Sequence, residues 1–125
     1  MTFKQLIKGI KEEWATAHTS YCSEKAQLKK LIEKAEKDEE EKNYNYNMSN
    51  ALDISDKASS ALKYFYAMDE IKEMVRTLKK IATKEEETEW LENYFVKLDD
   101  EVWNELDNKM KIEIIKRKYE NIYYG

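Results

Sequence analysis

His18 and Cys22 are the only histidine and the only cysteine in 125 residues. Four residues apart, they share one face of any helix that spans them. A Cys–His pair can serve as nucleophile and base. Such a pair also needs a third group to orient the imidazole, and the sequence around it offers none. The plainer expectation is two side chains on a packed helix. One Cys and one His cannot build a zinc site. The Glu-x-x-His pattern of di-iron bundles is absent, and two glycines cannot make a phosphate-cradling loop. No catalytic residue, metal ligand or cofactor is expected, so the chain reads as a non-enzyme.

Carboxylates are the other candidates. Glu33, Glu36 and Glu40, and again Glu86, Glu89 and Glu92, have the helical spacing that could hold a magnesium ion. In both segments the apolar residues occupy the other face, which makes these acids a solvated surface. Their distribution is more telling. Residues 83–107 hold ten acidic and two basic side chains, and residues 108–125 hold five basic and two acidic. Glu85, Glu86, Glu87, Glu89, Glu92, Asp99, Asp100 and Glu101 therefore form a candidate partner-binding face, with Trp90, Tyr94, Phe95 and Trp103 among them. Such a face suits a basic partner, including a nucleic-acid-binding protein whose groove it could fill by imitating phosphate charge. Ordinary solvation is the bland reading of the same run. Direct nucleic-acid binding is not expected. "KMKIEIIKRKY" is locally basic, but the block before it is acidic and the pI is near 5.2.

These groups must be carried by helices. There is no Pro, Gly occurs only at 9 and 125, and charged residues make up 38% against 42% apolar. Lys, Glu, Leu, Ile and Ala dominate, and these are helix formers. The predicted class is all-α in a single domain: a long antiparallel helical hairpin, coiled-coil-like, plus two shorter C-terminal helices in a four-helix arrangement. The expected boundaries are a helix over 2–42, a loop over 43–48, and helices over 49–82, 84–98 and 100–123.

The first helix shows an apolar seam at Ile7, Ile10, Trp14, Tyr21, Leu28 and Leu31, continued by Phe3, Ala17 and Ala35. The spacing alternates three and four, with Glu24 as the one polar interruption. A helix of that length spans roughly 60 Å, too long for the inside of a small globule. The second helix repeats the pattern at Ala51, Ile54, Ala58, Ala61, Phe65 and Met68, then shifts phase to Ile71, Val75 and Leu78. Its small alanines are expected to face Trp14 and Tyr21.

Between the two lies "EEEKNYNYNMSN". Asn43, Asn45 and Asn47 suit a corner, since Asn tolerates the left-handed conformation that ends a helix. Asn47 or Ser49 could cap the next helix. Tyr44 and Tyr46 at this tip are candidate contact residues. Thr83 with Glu86 fits a capping box for the third helix. "LDDEVW" reads as a stop and restart, with Asp99 or Asp100 capping a fourth helix that packs through Val102, Trp103, Leu106, Met110, Ile114 or Ile115, Tyr119 and Ile122.

The charged N-terminal segment breaks any signal-peptide core, and no apolar run could span a membrane. A cytoplasmic protein with no membrane partner is expected. Two functional expectations follow. One is a non-enzymatic interaction or assembly protein that self-associates, as a homodimer, through helical surfaces. The other is a small acidic inhibitor that blocks a nucleic-acid-binding defence or DNA-processing enzyme. Heavy Lys, Asn, Ile and Tyr usage would suit a phage or mobile-element product.

Overall fold

The computed structural model describes every residue from Met1 to Gly125. It is all-helical, with three helices rather than four: α1 (Phe3–Glu40), α2 (Asn47–Ile81) and α3 (Glu85–Tyr124), plus one 3-10 turn at Tyr44–Tyr46.

α1 opens on a capping box. The Gln5 N–H donates to the Thr2 hydroxyl at 3.2 Å, and the Thr2 N–H donates to the Gln5 side chain at 3.0 Å. Two of the helix's orphan donors are thereby satisfied. Its far end closes as a Schellman turn, with Asn43 N–H on the Asp38 carbonyl (2.7 Å) and Lys42 N–H on that of Glu39 (3.1 Å). The left-handed residue is Lys42, at φ 59°, instead of the expected asparagine. The conformation costs a lysine about 1 kcal/mol. The turn is held there by Asn50, the buried polar residue of the first turn of α2, whose amide donates to Asp38 at 2.8 Å while Lys34 donates to its oxygen at 2.8 Å.

Two expected caps do not form. α2 starts at Asn47 behind Tyr46 with no side-chain cap, so neither Asn47 nor Ser49 plays that part. α3 starts behind Lys84, also without one, and the Thr83–Glu86 box is absent. Glu85, Glu86 and Glu87 still sit in the first turn of α3, where the helix dipole favours negative charge.

The expected break at Asp99–Asp100 is corrected to a continuous helix. Leu98 and Val102 are both buried, four residues apart on one face. Leaving the helix to cap would uncover them. Asp99 turns instead to Lys72 of α2 at 3.6 Å, and no Pro or Gly interrupts the run.

α1 and α2 run antiparallel, with Lys57 reaching Glu24 (3.1 Å) and Gln27 (2.9 Å) and the Tyr21 and Phe65 rings 6.0 Å apart. Tyr21 therefore meets Phe65 across the α1–α2 interface. α2 and α3 are antiparallel too, joined by Lys72–Asp99 and by Tyr66–Glu113 at 3.0 Å. α1 and α3 consequently run parallel, side by side. Their Cα atoms never come within 8 Å, so they meet only through side chains, such as Phe3 edge-on to Trp90 at 6.5 Å. No helix is long and apolar enough to cross a membrane.

A continuous α3 makes a clear prediction. Glu101→Pro would be harmless at the first position of a new helix. Inside α3 it should cost about 3 kcal/mol or more, read as a lowered denaturation midpoint. An unchanged midpoint would restore the break.

Candidate functional surface

Trp14 and His18 lie ring over ring, 6.1 Å apart and 9° from parallel. The His18 Nε2 is 3.8 Å from the Cys22 sulfur and 3.6 Å from a Glu101 carboxylate oxygen. Folding thus supplies the third group that the sequence lacked. The geometry is wrong for a relay, however. An orienting carboxylate must hold the ring nitrogen opposite the one that serves the thiol. Here both approach Nε2. No group of three or more His, Cys, Asp or Glu side chains comes together to hold a metal.

The acidic set divides when folded. Asp99 joins Asp69 (2.8 Å) and Glu73 (3.5 Å) around the Lys72 ammonium. Burial opposes that charge, yet hydrogen bonds and the neighbouring carboxylates outweigh it, and the Lys72 pKa is raised. Glu87 lies near Lys84 at 3.8 Å and Glu101 near His18. Glu85, Glu86, Glu89, Glu92 and Asp100 are exposed and have no basic side chain within ion-pair distance.

One acid outside the set does the most inside the fold. Glu105 accepts from the Tyr21 hydroxyl at 2.8 Å, from Lys25 at 3.0 and 3.1 Å, and from Asn108 at 3.0 Å. It ties α1 to α3 halfway along the bundle. Burial alone would favour its neutral form, but the bonds from Asn108, Lys25 and Tyr21 prevail and hold its carboxyl below the usual range. Burial, then the bond to Glu105, pushes the Tyr21 hydroxyl pKa far up. Sequence reasoning missed this clasp because Glu105 and Tyr21 are 84 positions apart.

Of the α1 seam, Ile7, Ile10, Tyr21 and Leu28 are buried within the chain, and Trp14 and Leu31 are half-buried. Tyr44 and Tyr46 are exposed, with the Lys34 ammonium 5.5 Å from the Tyr46 ring.

The apolar residues assigned to one face of the last helix fall on two. Leu98, Val102 and Ile112 are buried, and Leu106, Ile115 and Tyr119 pack against them. Trp103 is 72% exposed, Ile114 69%, Met110 53% and Val96 52%. Val96, Trp103 and Met110 are seven residues apart, with Ile114 four further on, so all four share one outward face of α3. The signal was present as that spacing, a second apolar stripe behind the first.

No family model, curated protein or solved structure matches this chain. The surface must therefore be read from its own chemistry. It has an acidic N-terminal end, an apolar middle around Trp103 and a basic C-terminal end, all on one helix.

The Glu105 clasp can be tested by pH. A carboxyl whose folded pKa is depressed stabilises above its unfolded value, near 4.3, and loses that increment as pH falls through the folded value. Glu105→Ala leaves the buried Tyr21 hydroxyl without an acceptor and should cost about 1–3 kcal/mol at pH 7. The gap between wild type and variant should narrow below about pH 4. Urea titrations at pH 7 and pH 3 check this, and an equal gap at both would remove the carboxylate from the account.

Proposed function

We propose that this chain is a non-enzymatic interaction protein that works through helical surfaces, with the outward face of α3 as its working surface. The observation behind this is the exposed stripe of Val96, Trp103, Met110 and Ile114 on a helix already packed on its other side. Single exposed apolar residues are common, but a set aligned on one helix face and led by Trp is what protein interfaces use. Because the α1 seam is turned inward, association is assigned to α3 rather than to that seam.

The test is a photocrosslinking residue introduced at position 103 in the producing cell, with one at exposed Ser59 of α2 as control. Position 103 should give a discrete adduct with another protein chain, and position 59 should not. No adduct from 103 would sink the reading. As a check that these side chains serve the surface and not the core, Trp103→Ser and Ile114→Ser should each change stability by less than about 0.5 kcal/mol.

A second reading rests on the unpaired acids Glu85, Glu86, Glu89 and Glu92 at the start of α3. In it the chain is a small acidic inhibitor that occupies the nucleic-acid groove of a basic host enzyme. Binding should fall steeply with salt and compete with duplex DNA. Reversing the four acids to Lys should abolish inhibition across a panel of DNA-processing enzymes, and an unaffected reversal variant would end this reading.

A further inference from the structure

The same face of α3 carries more than apolar residues. Asp100, Asp107 and Arg117 interleave with Val96, Trp103, Met110 and Ile114 at alternating spacings of four and three. That is a heptad seam roughly 30 Å long, facing solvent throughout. Resting on the interaction reading above, we propose that its occupant is the same face of a second copy of this chain, packed antiparallel.

Charge decides the partner and its direction. Residues 83–107 hold ten acids against two bases, and residues 108–125 hold five bases against two acids. Antiparallel pairing lays residues 93–107 of each α3, with Asp99, Asp100, Glu101, Glu105 and Asp107 against Lys97 alone, along the basic half of the other, while Glu85, Glu86, Glu87, Glu89 and Glu92 extend past its end. Parallel pairing would lay acid on acid along the whole first half. An antiparallel seam also mixes its two kinds of core position in each layer. With the two-fold axis between Asn108 and Lys109, Trp103 shares a layer with Ile114 of the second copy. Asp100 shares a layer with Arg117 of the second copy. Both are exposed, and neither has an opposite charge within ion-pair distance in its own chain. In the parallel arrangement each would meet its own like charge.

Asp107 comes near its symmetry mate close to the axis. Lys111, 2.9 Å from Asp107 in the same chain, is placed to neutralise that approach. The interface is isologous, so every contact occurs twice. It closes on itself and leaves no free seam for a filament.

Sedimentation equilibrium over a wide concentration range tests the assignment, with circular dichroism confirming that each variant stays helical. The expected mass climbs from 15.0 kDa toward twice that value. Trp103→Ser should hold the chain at the lower mass. Asp100→Arg alone, or Arg117→Asp alone, should weaken association about tenfold or more, because each puts two like-charge pairs into the dimer. The double variant Asp100→Arg with Arg117→Asp restores both pairs and should recover association.

A doubled mass without this rescue overturns the antiparallel assignment. A mass fixed at 15.0 kDa at every concentration overturns the second copy altogether. The interaction reading fails separately, when position 103 crosslinks to nothing in the cell. A monomer that still gives an adduct with a different chain would keep that reading and discard this proposal.

Discussion

α2 has to serve two neighbours at once, and the rest of the structure depends on that. It holds eleven of the 20 buried residues, so apolar side chains must run along more than one of its faces. α1 and α3 do not approach each other closely enough to form a core of their own. Each is stabilised chiefly by what it buries against α2, at about 1.5–3 kcal/mol for a fully buried large aliphatic or aromatic side chain. Ala51, Ala58 and Ala61 are fully buried, and their size lets a neighbouring backbone come close. The phase shift between Met68 and Ile71 does not interrupt this burial, since Met68, Ile71 and Val75 all lie in the core.

Apolar seams that repeat every seven residues do not by themselves choose a register, because a slip of one heptad preserves the pattern. Polar groups supply the choice. Asn50 pins the last turn of α1 to the first of α2. Its bond also holds the Asp38 carboxyl below its ordinary pKa. Lys72 fixes α2 against α3 through Asp99. Glu105 fixes α3 against α1 through Tyr21 and Lys25. Sliding α1 against α2 would take Asn50 from Asp38 and Lys34, and sliding α1 against α3 would leave the buried Tyr21 hydroxyl without Glu105, a penalty that an apolar core does not offset. This three-way locking leaves no buried side-chain polar atom unpaired.

With α1 and α2 consumed in packing and register, α3 is the helix that offers an organised second face. Its charge runs from acidic to basic along its length, and its outward apolar residues are concentrated where the sign changes. That arrangement connects the two functional readings. The apolar middle supports association, and the unpaired acids at the N-terminal end support attraction to a basic surface. Of the two, only the attraction between charges is weakened by salt.

The helical class was legible in the sequence, because composition without Pro and with few Gly leaves little else. The inward seam of α1 and the inward positions of α2 were also legible, because their three-four spacing is a local property. The Schellman residue Lys42, the uncapped starts of α2 and α3 and the continuity through Asp99–Asp100 were not. The corner and the continuity depend on what a distant residue contributes: Asn50 to the corner, Lys72 to Asp99, the α2 core to Leu98 and Val102. For the site, the sequence located the acidic block but could not say which acids would find cations. Nor could it separate Trp103, Met110 and Ile114 from Val102, Ile112 and Ile115. Periodicity shows that a helix has apolar stripes. Only the placement of α2 and α1 around α3 decided which stripe was covered and which was left exposed.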